Sequence, residues 1–251
     1  MQSSTGDADE ASDRDSDSNE IVKEFNHINK RLAEEIHAKQ AQSLSSLLSS
    51  AQAKDEEITE VLSDMDDDTL SSQISHEDGR NVLHYLTKYN GARVSILQTI
   101  LKRAPSLANK ALKTSGLLPL HILCRYFPNE TQSLEILLQA SPASAAMPEA
   151  EGCLPLHFAC AAGASSKAIK KLLAYNEDAA KVQDTAGWLP LHYFAFSLNG
   201  TDDDVQTLQI LKSSYPAAVF TVNADGKLPV DCLAENHRAN EECLRILLEC
   251  D

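Results

Sequence analysis

Four histidines recur in this chain at a spacing that could serve catalysis or metal binding. They are His84, His121, His157 and His192, and Cys124 and Cys160 each lie three residues after one of them. Residues three apart on a helix share a face, so an imidazole could stand beside a thiol. However, the chain has no C-x-x-C or H-E-x-x-H segment, and metal ligands must converge at recognisable spacing. We therefore expect no catalytic residue, no metal and no cofactor.

Each histidine falls within an internal repeat. A glycine opens the same short pattern five times, as GRNVLH from Gly79, GLLPLH from Gly116, GCLPLH from Gly152, GWLPLH from Gly187 and GKLPVD from Gly226. These glycines are 37, 36, 35 and 39 residues apart, within the range of solenoid repeats. A second apolar run with helical spacing follows in every unit. One repeat is therefore predicted to be a turn, a helix, a loop and a second helix.

The glycine and the proline of the pattern have mechanical roles. The chain turns into a helix at each glycine, where only glycine adopts positive φ without steric cost. The proline then occupies the first helical turn, where a missing N–H costs nothing. A hairpin of two helices cannot bury its apolar faces alone, so neighbouring units must stack and share a core.

The pattern G-x-x-P-L-H-x-x-[AC] resembles the ankyrin repeat, whose consensus opens its first helix with G-x-T-P-L-H-x-A-A. The resemblance covers residues 79–251 and implies histidines that brace adjacent turns by hydrogen bonds. Two departures mark a divergent subclass: the units exceed the family's usual length of about 33 residues, and leucine replaces the threonine before proline. The leucines are Leu118, Leu154, Leu189 and Leu228.

The expected fold is all-α, an ankyrin-type solenoid of helical hairpins with an N-terminal helical cap. Residues 1–20 have no sizeable apolar side chain beyond Met1 and are expected to be disordered. Residues 21–78 should form N-terminal helices and a degenerate capping repeat, with too few heptads for a coiled coil. The repeats are numbered 1 to 5 and span residues 79–115, 116–151, 152–186, 187–225 and 226–251.

Acidic charge is concentrated in the N-terminal third. Residues 1–78 contain 20 acidic and 6 basic side chains, whereas residues 79–251 contain 17 and 16. The repeats therefore carry no basic stripe of the kind that grips a phosphate backbone, and we expect no nucleic-acid partner. No signal peptide or membrane-spanning run is found, so we expect no membrane partner. The expected compartment is the cytoplasm, with the nucleus as the alternative, and the expected state is a monomer.

Architecture and the absence of catalytic motifs favour a non-enzymatic interaction module that binds an unidentified protein partner. The resemblance implies that a partner contacts the hairpin tips and the ends of the first helices, on a concave face. The predicted contact residues are Tyr89, Arg125, Tyr126, Trp188 and Phe196, with Leu117, Arg80 and Lys227 from the turns. Aromatic and arginine side chains dominate interface hot spots. In the competing interpretation, Trp188 and Phe196 only pack against the next repeat.

The alternative hypothesis assigns function to the acidic tail, with the repeats as a scaffold. The tail would bind basic proteins or, weakly, calcium. Asp13, Asp15, Asp17 and Glu24 match acidic positions of a calcium-binding loop. Ser18 replaces the glycine that such a loop requires, which favours chance acidity.

The recurrent leucine before proline predicts an apolar layer between repeats. We expect that Leu154→Thr does not stabilise the protein, although it restores the family consensus and a side-chain N-cap normally contributes about 1 kcal/mol. Thermal unfolding of the two proteins tests this, and a higher melting temperature for the variant would contradict the layer.

Overall fold

The structure of this protein is a computed structural model. It describes residues 27, 30–31, 35, 38–40, 42–50, 53–71, 78–89, 93–236, 238 and 240–249. The acidic tail (1–20) and most of residues 21–40, for which we predicted disorder and helices, lie outside this range. In the described residues every regular element is a helix and none is a strand. None of these helices is both long enough and apolar enough to cross a membrane.

Helices α1 (Asp55–Asp64) and α2 (Asp67–Ser71) precede a series of helix pairs, one for each sequence motif. The pairs are α3 and α4 (Val82–Tyr89, Val94–Arg103), α5 and α6 (Pro119–Tyr126, Thr131–Ala140), α7 and α8 (Pro155–Ala161, Ser166–Tyr175), α9 and α10 (Pro190–Ser197, Asp202–Ser214), and α11 and α12 (Pro229–Glu235, Glu241–Leu248). Short 3₁₀ segments follow the first four pairs, at Pro105–Asn109, Pro142–Ala146, Glu177–Lys181 and Pro216–Phe220.

The helix pairs pack neighbour to neighbour in two rows. First helices contact first helices from α3 to α11, and second helices contact second helices from α4 to α12. Between the rows runs a continuous apolar core that includes Leu123, Ala159, Leu172 and Phe194, all buried. The expected all-α class is confirmed, and the packing is compatible with a solenoid. Each interior pair relies on both neighbours to cover its apolar side chains.

The starts of the first helices follow the sequence motif. Proline is the first residue of α5, α7, α9 and α11, as predicted. The leucine before it is the N-cap residue, and Leu118, Leu154 and Leu189 are buried. Leucine has no side-chain acceptor for the N–H groups of the first helical turn. The histidine of the motif accepts a different N–H, that of the leucine itself, as described below.

The turns before the first helices are joined to one another by backbone hydrogen bonds. The N–H groups of Ala150, Thr185 and Ala224 donate to carbonyls of the preceding turn at 2.9 Å. Within this row Gly187 has a φ of +74°, and a Cβ there would lie 3.0 Å from the backbone nitrogen of Ala224. Glycine is therefore required at Gly187 both by its own conformation and by the closeness of the next turn.

The segment before the repeats packs against the second helix of repeat 1. Helix α1 contacts α4, and two arginines of repeat 1 hold the preceding chain. The Arg103 guanidinium donates to the Leu62 carbonyl at 2.6 Å and pairs with Asp67 at 2.8 Å. Arg93 pairs with Asp55 at 2.9 Å. These bonds satisfy carbonyls at the end of α1 and give α1 the position of a second helix next to α4.

Replacing Gly187 by alanine should cost more stability than the same change at Gly163. Both glycines have positive φ, so both variants incur the left-handed penalty of about 1–2 kcal/mol. Only at Gly187 does the new methyl group also press on the backbone of the next turn, because the nearest atom at Gly163 is a side-chain nitrogen at 3.8 Å. Urea unfolding should show a clearly larger loss for Gly187→Ala. Equal losses would contradict the close contact between turns.

Candidate partner-binding groove

Each motif histidine links its own helix start to a carbonyl near the next turn. Nδ1 accepts the N–H of the residue before the helix, which is Asn81, Leu118, Leu154 and Leu189 for His84, His121, His157 and His192 in turn, at 3.2, 3.1, 3.0 and 3.1 Å. Nε2 lies within hydrogen-bond distance of the carbonyls of Leu117, Cys153, Val182 and Lys227, at 3.2, 3.2, 3.0 and 3.2 Å. The carbonyl belongs to the next repeat in three cases, and Val182 lies near the end of repeat 3, the repeat of His157. Since Nδ1 accepts, the proton of the neutral ring lies on Nε2 and is donated to that carbonyl.

Burial keeps these imidazoles neutral. It lowers the pKa of His84 and of His121 to about 4, and it also lowers the pKa of His157 and His192. Both ring nitrogens are already engaged with the backbone, so none is free to take a proton from a substrate. In repeat 5, Asp231 stands at the position of the motif histidine, and its carboxylate accepts the N–H of the N-cap residue Leu228 at 2.8 Å.

The thiols are equally unsuited to nucleophilic chemistry. Cys124, Cys153, Cys160, Cys232 and Cys243 are free and buried. Burial raises the pKa of Cys124 and Cys160 well above the usual thiol range, and that of Cys153 to about 12. A thiolate is the reactive form, so these cysteines are inert packing residues. Among the described residues no three histidine, cysteine or acidic side chains are grouped to hold a metal.

A groove runs along the first helices and is lined by residues of repeats 1 to 4. Its wider part, of about 370 Å³, is lined by Arg125, Cys153, His157, Phe158, Ala161, Ala162 and Tyr193. A narrower part, of about 100 Å³, is lined by Arg80, His84, Lys88, Leu112, Leu117, His121, Ile122, Arg125 and Tyr126. Arg125 borders both parts and so stands at their junction. We call the two parts together the first-helix groove.

Aromatic rings on the floor of the groove are fixed by the histidines beneath them. The residue after each motif histidine points into the groove in repeats 2 to 4. The Phe158 ring meets His121 edge-on at 5.4 Å, and the Tyr193 ring meets His157 edge-on at 5.8 Å. The Tyr193 hydroxyl donates to Asp184 at 2.6 Å. Each ring is thus in contact with the repeat before it.

The predicted contact residues fall into two groups. Arg80, Leu117, Arg125 and Tyr126 line the groove together. Tyr89, Trp188, Phe196 and Lys227 are not among its lining residues. For Trp188 the packing interpretation describes the contacts: its ring is half-buried and lies 5.0 Å from the Tyr193 ring and 5.9 Å from His192.

The other three lie outside the groove for different reasons. Phe196 does not pack into the stack, because 53% of its surface is exposed. Tyr89 is 40% exposed and stacks on Tyr85 at 6.4 Å. Lys227 pairs with Glu235 at 2.6 Å, which engages its charge.

Prediction from the sequence placed Lys88 in the contact stripe but missed Phe158, Tyr193 and Ala161 as groove residues. The sequence did contain a signal for these three residues. The position directly after the motif histidine holds Tyr85, Ile122, Phe158, Tyr193 and Cys232, mostly large apolar residues. The position four after it holds Lys88, Arg125, Ala161, Phe196 and Glu235. Comparing equivalent positions down the repeats would have identified both rows.

No protein-family model matches this chain, and no curated protein sequence is significantly similar to it. The resemblance to ankyrin repeats therefore rests on the recurrent sequence motif.

The buried neutral histidines predict that acid destabilises the protein between pH 6.5 and 4. The unfolded chain binds protons near the usual pKa of about 6.5, whereas folded His84 and His121 bind them only near 4. Stability is therefore complete above about pH 6.5 and falls as the pH drops toward 4. We expect the free energy of unfolding to fall less between pH 7 and 5 in His121→Gln than in the unsubstituted protein, by about 2 kcal/mol.

Urea unfolding at the two pH values measures this difference. The variant is expected to be less stable at pH 7, because a buried hydrogen-bonded bridge is lost. The change in the free energy of unfolding between pH 7 and 5 is therefore compared within each protein, separately from the lower stability of the variant at pH 7. Equal losses on acidification in the two proteins would show that His121 does not titrate in this way.

Proposed function

We propose that the chain is an ankyrin-type repeat protein of a divergent subclass, without catalytic activity, that binds another protein in its first-helix groove. The repeats act as a rigid support, and specificity lies in the side chains that the first helices expose. We further propose that it acts in the cytoplasm, or alternatively the nucleus, as a monomer. Its free buried thiols fit a reducing compartment.

The observation that carries the proposal is the groove itself. It joins apolar ring faces with exposed Arg125 and with Tyr126, which keeps 48% of its surface accessible. Interface hot spots are built from these residue types. The floor rings are held in place by the histidine bridges, so a partner would bind without ordering them first.

The states of the histidines and cysteines support a binding role over an enzymatic one. Both ring nitrogens of each motif histidine are engaged with the backbone, and the thiol pKa values are raised by burial. A general base or a nucleophile needs the opposite properties: a free lone pair and a pKa near the working pH.

Affinity capture from cell lysate followed by mass spectrometry tests the proposal. The baits are the full chain, Tyr126→Ala, and the control Phe220→Ala. Tyr126 lines the groove, whereas Phe220 is 66% exposed but does not line it. Because both aromatic side chains are exposed, we expect melting temperatures within a few degrees of each other. A protein recovered by the full chain and the control, and lost with Tyr126→Ala, is the expected result.

Recovery of the same proteins by all three baits would contradict the proposal. A fourth bait addresses the alternative that the acidic tail carries the function. It is the full chain with the acidic residues of 1–20 replaced by their amides. Loss of every captured protein with this bait, but not with Tyr126→Ala, would assign binding to the tail.

A further inference from the structure

The first helices present a gradient of charge along the stack. At the position four after the motif histidine, repeats 1 and 2 carry the cations Lys88 and Arg125, repeat 3 carries Ala161, and repeat 4 carries Phe196. Repeat 5 carries Glu235, which is paired with Lys227. Consecutive first helices pack on one another, so these positions form one row. Along the row, two basic side chains are followed by a small one, then an aromatic one, and finally an acidic side chain whose charge is paired within repeat 5.

The two cations of this row have their charges available. The Lys88 ammonium lies 4.9 Å from the centre of the Tyr89 ring, and the Arg125 guanidinium 5.7 Å from that of Tyr126. Neither forms an ion pair with any residue that the structure describes. By contrast, Arg80 pairs with Asp78 at 2.7 Å. Rings hold the two cations in position and leave their N–H donors for a ligand.

Next to Arg125 the groove widens because repeat 3 has small side chains. Ala161 and Ala162 border it where repeat 2 has Arg125 and Tyr126. The floor below is the Phe158 ring, with Tyr193 beside it. The space of about 370 Å³ lies within the usual size of a ligand pocket, about 300–1,000 Å³. An apolar or aromatic side chain of a partner fits this chemistry.

We infer that the partner of the first-helix groove is a protein segment in which acidic residues adjoin a single apolar or aromatic residue. The carboxylates pair with Lys88 and Arg125, and the apolar side chain fills the space over Phe158 beside Ala161. This inference rests on the proposed function and specifies its ligand. Charge complementarity favours an acidic segment, and the width of the groove at repeat 3 favours one apolar or aromatic side chain in that segment.

The chain's own acidic tail matches only half of this ligand. Residues 1–20 carry seven acidic side chains and one arginine but no sizeable apolar residue beyond Met1. Directly after it, Ile21, Val22 and Phe25 adjoin Glu20 and Glu24, so a longer N-terminal segment of the chain is the competing occupant. The inferred occupant is a separate protein, and competition by a synthetic N-terminal peptide distinguishes the two.

Selection from a random peptide library displayed on phage tests the inference, with the folded full chain as target. Enriched peptides are expected to carry two or more acidic residues next to one Leu, Phe or Trp. A labelled copy of the most enriched peptide should bind, by fluorescence anisotropy, at least about tenfold more weakly to Lys88→Gln/Arg125→Gln. Ala161→Tyr, which fills the wide part from an exposed position, should weaken binding to a similar extent.

The matched control is Lys102→Gln/Lys170→Gln, which removes two exposed cations from the second helices α4 and α8. Its affinity should be unchanged. The inference is overturned if no peptide is enriched, if enriched peptides lack acidic residues, or if the control loses as much affinity as Lys88→Gln/Arg125→Gln. It also fails if replacing the apolar residue of the peptide by Ala leaves its affinity unchanged.

A synthetic peptide of residues 1–28, which joins the acidic tail to Ile21, Val22 and Phe25, should not displace the bound peptide at equal concentration. Displacement would assign the groove to the chain's own N-terminal segment instead. Failure here is distinct from failure of the proposed function: lysate capture that depends on Tyr126 would stand even if the captured protein has no acidic and apolar segment.

Discussion

The structure depends on one recurrent interaction, the buried imidazole that connects a helix start to a carbonyl near the next turn. Each motif histidine accepts the N–H of the residue before its own helix and donates to that carbonyl, which lies in the next repeat for His121 and at the end of repeat 3 for His157. The imidazole thus supplies the half of a capping box in which the third helical residue accepts the N–H of the N-cap residue. The same ring fixes the distance between successive turns. Because both bonds need the neutral tautomer, burial of the ring and the geometry of the stack support each other.

Regular spacing of the first helices turns equivalent sequence positions into rows on one surface. In repeats 2 to 4 the row directly after the histidines lines the floor of the groove, and in repeats 1 to 3 the row four residues after them lines its border. The core side of each helix repeats closely, as Leu120, Leu156 and Leu191 show. The exposed side varies from Lys88 to Glu235. The constant side accounts for the fold, and in the proposed function the varied side selects the partner.

Much of the fold could be predicted from the sequence because the turn and helix-start residues have strong local preferences. The glycines of the motif have positive φ, and the prolines begin their helices. Groove residues were harder to predict, since periodicity shows which positions are equivalent but not how each side chain packs. Trp188 illustrates this: it lies in a turn yet stacks on Tyr193, a residue that the Asp184 carboxylate anchors. The wide part of the groove arises from two alanines, and small side chains give no signal of their own.

The central claim is that a partner binds to the exposed side of the first helices. Hydrogen–deuterium exchange of the full chain, with and without the captured partner, tests it most directly. The account predicts added protection in α3, α5, α7 and the turns before them, with α4, α6 and α8 unchanged. Protection confined to the second helices, or to residues 1–20, would contradict it.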